Sequence, residues 1–293
     1  DRSSRIDLLL PRVAHPEQPA LVMADPAFGT KLAEAQPGGA RAVDETVRGL
    51  YDGLSGLAQL QGARAEGAMV GGLLRTPPLF GAEATEARLR QVRSPWLLHI
   101  ATHGLLVSST QGGNPGSRAL VPNQPSAAME SDVATQDLPG RTGIRPWSGS
   151  ALVLAGSAHA ANARDSTNDG LLTAEEARSL SLFGTQLVVL SACETGRGTA
   201  SAGQGVYGLR RAFMVAGAET LVTSLWQVSD TATGKLMELY YQKLLKKKKG
   251  RLEGMQEAMM EMRAKYPHPY YWAPFLVIGS DGSLRPMATQ VPK

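Results

Sequence analysis

The sequence is poor in cysteine, in long apolar runs and in net charge, and each shortage excludes something. Cys193 is the only cysteine among 293 residues. That rules out an internal disulfide and any metal site built from several thiolates. A chain with one thiol suits a reducing compartment, and a cytoplasmic location is expected. No apolar run approaches the ~18 residues a membrane span needs, so no membrane partner is expected. The formal net charge is +4, too small to imply nucleic acid as a partner. The positive charge gathers at Lys243 and at 246–249, which reads as the solvated end of a helix, with nucleic-acid or membrane contact as the alternative. The opening residues DRSSRIDLLL lack the charged-then-apolar layout of a signal peptide, and a start at Asp1 suggests a processing product or a piece of a longer chain.

What is present describes a folded protein. Hydrophobic residues make up 43% and charged residues 19%, which excludes wholesale disorder. At roughly 150 residues per domain the length allows two domains or one large α/β domain with insertions. The 32 Gly and 18 Pro promise many loops.

Short apolar runs at 20–24, 96–101, 151–155, 187–191, 220–225 and 275–278 are apolar at nearly every position, as strands buried on both faces are. Helical spacing separates them. Val206, Leu209, Phe213 and Ala216 share one helix face, and so do Leu252, Met255, Met259 and Met262, a core stripe rather than a cofactor contact. Thr173 with Glu176 forms a capping box, and Ser229-Asp230 begins another helix. Strands alternating with helices predict an α/β fold with a mainly parallel sheet covered on both faces. The active site of such a sheet lies at the carboxyl ends of its strands. Residues 107–150 and 157–169 lack periodicity and read as loops, the first as a long insertion; 31–57 is ambiguous.

Two strand ends carry chemistry. WLLHIATHG (96–104) delivers His103 and Gly104, and QLVVLSAC (186–193) delivers Cys193 to the same edge of the sheet. A thiol becomes a strong nucleophile as the thiolate, and an adjacent imidazole helps form it. The imidazole can then protonate the leaving amine. The N–H groups of Gly104 and Cys193 could hold an oxyanion. The bland alternative is a small buried thiol and a satisfied histidine.

The segments HIATHG (99–104), SALVLAG (150–156), DGLLTAEEA (169–177), LVVLSACETGRG (187–198), GQGVYGLRRAFMVAGAETLVTSLWQVSDTAT (203–233) and HPYYWAPFLVIG (268–279) keep an order and character that resembles the CHAT domain. This is a branch of the caspase-like cysteine peptidases, and a weaker likeness extends through ALVMADPAF and LQGARAEGAMVGGLL. The resemblance implies a caspase-like three-layer sandwich and a cysteine endopeptidase acting through a thioester acyl-enzyme, with a role in bacterial signalling or defence. His103 would be base and acid, Cys193 the nucleophile, and Gly104 and Cys193 the oxyanion hole. Asp169, Ser191, Ser224, Leu225, Trp226 and Asp230 would lie near substrate. No metal or cofactor is implied. A protein or peptide substrate, and a helical-repeat region or activating partner outside this single domain, are the implied partners. A catalytically silent scaffold of the same fold is the alternative.

The chain departs from the caspase signature Q-A-C-[RQG]-G with its His about fifty residues upstream. Ser191 stands two residues before the Cys, Glu194-Thr195 follow it, and the dyad spacing is 193 − 103 = 90. Asp230 could be a helix cap alone, Asp169 a turn residue alone and Trp226 core. GQGVYG (203–208) matches G-x-G-x-x-G, but residues 192–202 separate it from the preceding strand, whereas a dinucleotide turn follows its strand at once. His99 and His103 are four apart on a strand-like run without further ligands, which disfavours zinc.

Overall fold

The computed structural model describes residues 15–29, 54, 57, 59–107, 149–158, 168–194, 204–226 and 229–287. Most of the two expected loops and all but Leu54 and Leu57 of the ambiguous stretch lie outside these residues.

The strands are β1 (Leu21–Pro26), β2 (Leu79–Gly81), β3 (Leu97–Val107), β4 (Gly149–Val153), β5 (Leu171–Thr173), β6 (Leu187–Glu194), β7 (Thr220–Ser224) and β8 (Phe275–Gly279). The helices are α1 (Gln61–Leu74), α2 (Glu86–Arg90), α3 (Ala174–Ala177), α4 (Gln204–Val215), α5 (Asp230–Leu245) and α6 (Arg251–Lys265). All six strands expected from apolar runs form. The short β2 and β5 carry too few apolar residues to signal themselves.

The sheet order is β2-β1-β3-β6-β7-β8, with β4 on β3 and β5 on β4. The pairs from β2 through β7 are parallel, and β8 closes the edge antiparallel. β6 runs beside β3 up to Gly104, the residue at which β4 also pairs. The β4–β5 hairpin therefore occupies the other edge of β3, beyond the end of β1. Gly170 sets the hairpin's entry: its φ is +85°, and a Cβ there would stand 2.5 Å from the Ser157 backbone nitrogen, so only glycine fits.

Helices cover both faces. On one, Leu209, Ala212 and Phe213 of α4 and Ala177 of α3 pack with Met23, Leu98, Ile100, Val188, Leu190 and Leu221. On the other, Val70 of α1, Leu236, Met237, Tyr240 and Tyr241 of α5, and Met255, Ala258 and Met262 of α6 pack with Val22, Leu97, Leu187, Val189 and Val222. Alternate residues of one strand thus serve opposite cores, as the pleat requires. The expected methionine stripe is core at Met255 and Met262 and partly so at Met259. Leu252 departs from it, being 39% exposed in the first turn of α6.

The amino ends of the strands are tied together. Trp96 and Gln186, just before β3 and β6, both donate to the Arg285 carbonyl, at 2.9 and 3.1 Å. Glu219, just before β7, pairs with the guanidinium groups of Arg285 and of the fully buried Arg251.

Candidate active site

β3 and β6 are neighbours in the middle of the sheet. Each begins with a fully buried apolar run, and burial on both faces leaves only one register without exposing a row of side chains. That register pairs Ala101 with Ser191, Thr102 with Ala192, His103 with Cys193 and Gly104 with Glu194. The two residues proposed as a dyad therefore occupy one rung at the carboxyl end of the ladder, in spite of a separation of 90 positions in the chain.

The rung is held from several sides. His103 is half-buried, its ring centroid 5.3 Å from that of Phe28, which follows β1. Ser224 Oγ donates to the Ala192 carbonyl at 2.6 Å. The Thr102 hydroxyl donates to the Val153 carbonyl of β4. The residue before each dyad position is thus fastened to the next strand outward.

The other candidates flank this rung. Ser191 donates through Oγ to Glu66 Oε2 at 3.0 Å. Leu225 and Trp226 extend β7 past its end and are 42% and 37% exposed, so Trp226 is a surface residue and not core. Its indole N–H donates to the Tyr270 carbonyl, and the Leu225 N–H to that of Pro274. Asp230 is the first residue of α5, flanked by Ser229. It lies against the start of α1, where a Cβ on Gly62 would stand 2.1 Å from the Asp230 Cβ. Asp169 Oδ1 accepts the Leu171 N–H at 2.9 Å, turning the chain into β5 and the capping box of Thr173 and Glu176. Asp169 is thus on the β4–β5 side of the rung, and Leu225, Trp226 and Asp230 are on the β7 side.

Beneath the rung lies a buried polar chain that sequence reasoning did not find. Glu66 of α1 is 4% exposed, and His99 of β3 and Tyr241 of α5 are fully buried. His99 Nε2 faces Glu66 Oε1 at 3.2 Å, and His99 Nδ1 is 3.0 Å from the Tyr241 hydroxyl. Burial, reinforced by Tyr240 and Glu66, pushes the Tyr241 phenol well above its usual value. Only His99 gave a signal in the sequence, as a polar residue inside an apolar strand. Of the two histidines considered for zinc, His99 instead turns its nitrogens toward Glu66 and Tyr241. Among the described residues, no group of three or more His, Cys, Asp and Glu side chains is arranged to hold a metal ion.

Asp25 is a second residue missed. It lies in β1 with φ +46°, nearly buried, and its carboxylate accepts the Leu60 N–H at 3.2 Å and pairs with Arg64 at 3.3 Å. A non-glycine residue at such a φ is strained and is retained where the surroundings fix it. Here it fastens the start of α1 to the end of β1.

Comparison with known proteins agrees with the motifs. Tetratricopeptide repeat protein 28 of Homo sapiens is 29% identical over 231 residues, 76% of this chain and 8% of the relative. The Mus musculus protein of that name is 29% identical over the same length, 9% of the relative. The chain thus spans less than a tenth of the curated relatives it matches. Among solved structures it is similar to the Arg specific cysteine proteinase gingipain R, with a TM-score of 0.47 and 11% identity, over 93% of this chain and 50% of that one. It is also similar to the complex of Porphyromonas gingivalis RgpB pro- and mature domains, with a TM-score of 0.46 and 13% identity, over 92% and 48%. The CHAT domain family matches residues 3–280, nearly the whole length, and the chain belongs to that family.

Proposed function

We propose that this domain is a cysteine endopeptidase in which Cys193 is the nucleophile and His103 the general base and acid. The observation that carries the reading is the shared rung of His103 and Cys193. The thiolate sulfur attacks the scissile carbonyl carbon, and the electron pair moves to the carbonyl oxygen. The backbone N–H groups of Gly104 and Cys193 receive that oxyanion. As the tetrahedral centre collapses, the imidazolium of His103 passes its proton to the departing amine, leaving a thioester on Cys193. His103 then takes a proton from water, whose oxygen displaces the thiolate and releases the carboxylic acid product. No step calls on a metal or cofactor.

Substrate is proposed to lie along Leu225 and Trp226, with Asp230, Asp169, Ser191 and Ser224 around the cleavage position. The curated relatives are named for tetratricopeptide repeats, which supports a helical-repeat region as the activating partner. A cytoplasmic role in signalling or defence is part of the same proposal. The test is an active-site thiol probe combined with cleavage profiling on a diverse peptide library. Labelling at Cys193 that depends on His103, with turnover lost in Cys193→Ala, supports the peptidase. Slow labelling indifferent to His103 and no turnover would identify a silent scaffold.

A further inference from the structure

The chain Tyr241–His99–Glu66–Ser191 is more than a satisfied core cluster, because of where it ends. In a strand, residues two apart share a face. His99, Ala101 and His103 therefore stand in line on β3, and Val189, Ser191 and Cys193 on β6, with His99 beside Val189 and Ala101 beside Ser191. The carboxylate of Glu66 touches members of the two rungs below the dyad rung, through His99 and Ser191. Two residues of strand are about 7 Å, so this buried carboxylate acts on the dyad through little more than protein.

The charge of the chain follows from its donors. Tyr241 keeps its proton, since burial raises its phenol well above the usual range. Its hydroxyl can donate to His99 Nδ1, which places the ring proton on Nε2, toward Glu66 Oε1. Ser191 donates to the other oxygen, Oε2. His99 Nε2 and Glu66 Oε1 face each other at 3.2 Å without a hydrogen bond between them, and Glu66 is the one carboxylate of this polar chain. The groups around Glu66 are His99 from β3, Ser191 from β6 and Tyr241 from α5, with Tyr240 beside Tyr241. Toward the start of α1 stand Asp25, paired with Arg64, and Asp230 against Gly62.

We propose that Glu66 is a positioning residue for the dyad, a buried negative charge fixed by His99, Tyr241 and Ser191 that raises the proton affinity of the His103–Cys193 rung. A negative charge favours the protonated form of any neighbour. It holds His103 as the imidazolium that donates to the departing amine, at the cost of a higher thiol titration. The proposal rests on the peptidase reading for its purpose, but the electrostatic effect on Cys193 exists whether or not the domain cleaves peptides.

The experiment uses the whole chain and measures the pH profile of Cys193 alkylation by iodoacetamide, with peptide turnover in parallel. Glu66→Gln keeps the shape and can still accept from Ser191, yet it removes the charge. The expected result is an alkylation midpoint lowered by about half a unit to one unit, with kcat reduced about tenfold and KM within twofold. Tyr241→Phe removes the donor to His99 and should shift the midpoint in the same direction by less. Glu66→Asp, which restores the charge, should bring the midpoint back toward that of the unaltered chain. An unchanged midpoint in a folded Glu66→Gln protein, or an upward shift, overturns the proposal, and so does a shift that Glu66→Asp fails to reverse. The peptidase reading fails separately: alkylation would be indifferent to His103→Ala and turnover absent, while the Glu66 shift could still appear.

Discussion

The two faces of the sheet are built from the same strands and solve different problems. The α4 face carries Leu98, Ile100, Val188, Leu190 and Ala192 against Leu209 and Phe213, and its β3 row ends in Thr102, whose hydroxyl goes to the Val153 carbonyl. The α5 face is equally buried at Leu97, Leu187 and Val189. Yet its next positions are His99 and Ser191, both engaged by Glu66. Buried polar groups cost stability unless they are partnered. On the α4 face the buried Thr102 hydroxyl is spent on a backbone carbonyl, whereas the buried polar groups of the α5 face are held by one another. The polar row is also the one that leads, by strand alternation, to His103 and Cys193. The difference separates what holds the fold from what equips it.

The largest effect expected is on turnover. Cys193→Ala should abolish cleavage entirely and leave the thermal midpoint within a few degrees, since the substitution removes only a sulfur. Retained turnover in the purified variant would end the peptidase reading. Its counterpart on the apolar face is Phe213→Ala. Phe213 is fully buried, and its truncation should cost about 3–5 kcal/mol in denaturant unfolding. If Phe213→Ala were neutral to stability, the assignment of that face to structure alone would fail.

The contrast sharpens at the buried acid that the described residues place on the other side. Glu86 of α2 is fully buried and pairs with Arg90 at 2.6 Å. Burial pushes its carboxyl up to about 8, with Glu176 and Asp169 adding and Arg90 opposing. A raised carboxyl means the folded state binds the proton more tightly than the unfolded chain. The associated stability is complete below the ordinary carboxylate range, near 4.5, and is lost as pH rises through about 8. Unfolding free energy should therefore fall by roughly 1–3 kcal/mol between pH 5.5 and 8.5, and Glu86→Gln should remove most of that slope. A flat profile in the unaltered chain would show that Arg90 keeps Glu86 ionised throughout.

Much of this was readable from residues. Apolar runs located six strands because burial on both faces leaves no room for polar side chains. That His103 and Cys193 reach the same edge of the sheet was readable because each ends such a run. The capping box at Thr173 forms, and a helix starts at Asp230 as expected, although Ser229 makes no side-chain cap hydrogen bond. What sequence could not supply was pairing across helices. Glu66 sits in α1 among small residues and Tyr241 in an ordinary amphipathic helix. Nothing in either segment announces a partner on β3. Asp25 is invisible for a related reason: its role depends on a strained backbone and on a helix starting 35 residues later. The long insertion stays an expectation, since 108–148 lie outside the described residues; its ends are strand, at Val107 and at Gly149 and Ser150. Cleavage by an added protease is still expected first within it, as it lacks the periodicity to bury itself.

Substrate preference gives a smaller, graded effect. From 212 to 234, which includes the stretch beside the rung, there is no Lys or Arg. Ser191 stands where a caspase has Gln, and Asp230 and Asp169 flank the rung. Arg64, a cation outside that stretch, is paired with Asp25. Arg210 of α4 lines the cavity with Gly104, Ala192 and Ser224, but beside Asp230 and Asp169 a substrate aspartate would meet acids, and an unpaired buried charge costs several kcal/mol. Peptides differing only at the cleavage position should be cut after basic or neutral residues at least tenfold faster than after Asp. Fastest cleavage after Asp would place the pocket elsewhere.

The smallest effect serves as a control on the polar face itself. α1 ends at Arg75 in the left-handed conformation, φ +55° and ψ +40°, with its N–H donating to the carbonyls of Gly71 and Gly72. A residue with a Cβ pays about 1 kcal/mol for that conformation, and glycine pays none. Glycine also loosens the unfolded chain, which returns part of the gain. Arg75→Gly should therefore stabilise the fold by about 0.5 kcal/mol. Arg75 is exposed and lies more than two turns along α1 from Glu66. If Glu66 acts through its charge, firming the far end of its helix should leave the Cys193 alkylation midpoint where it was. If the midpoint moved with stability in Arg75→Gly, the effect of Glu66→Gln would belong to the packing of α1 and not to the carboxylate.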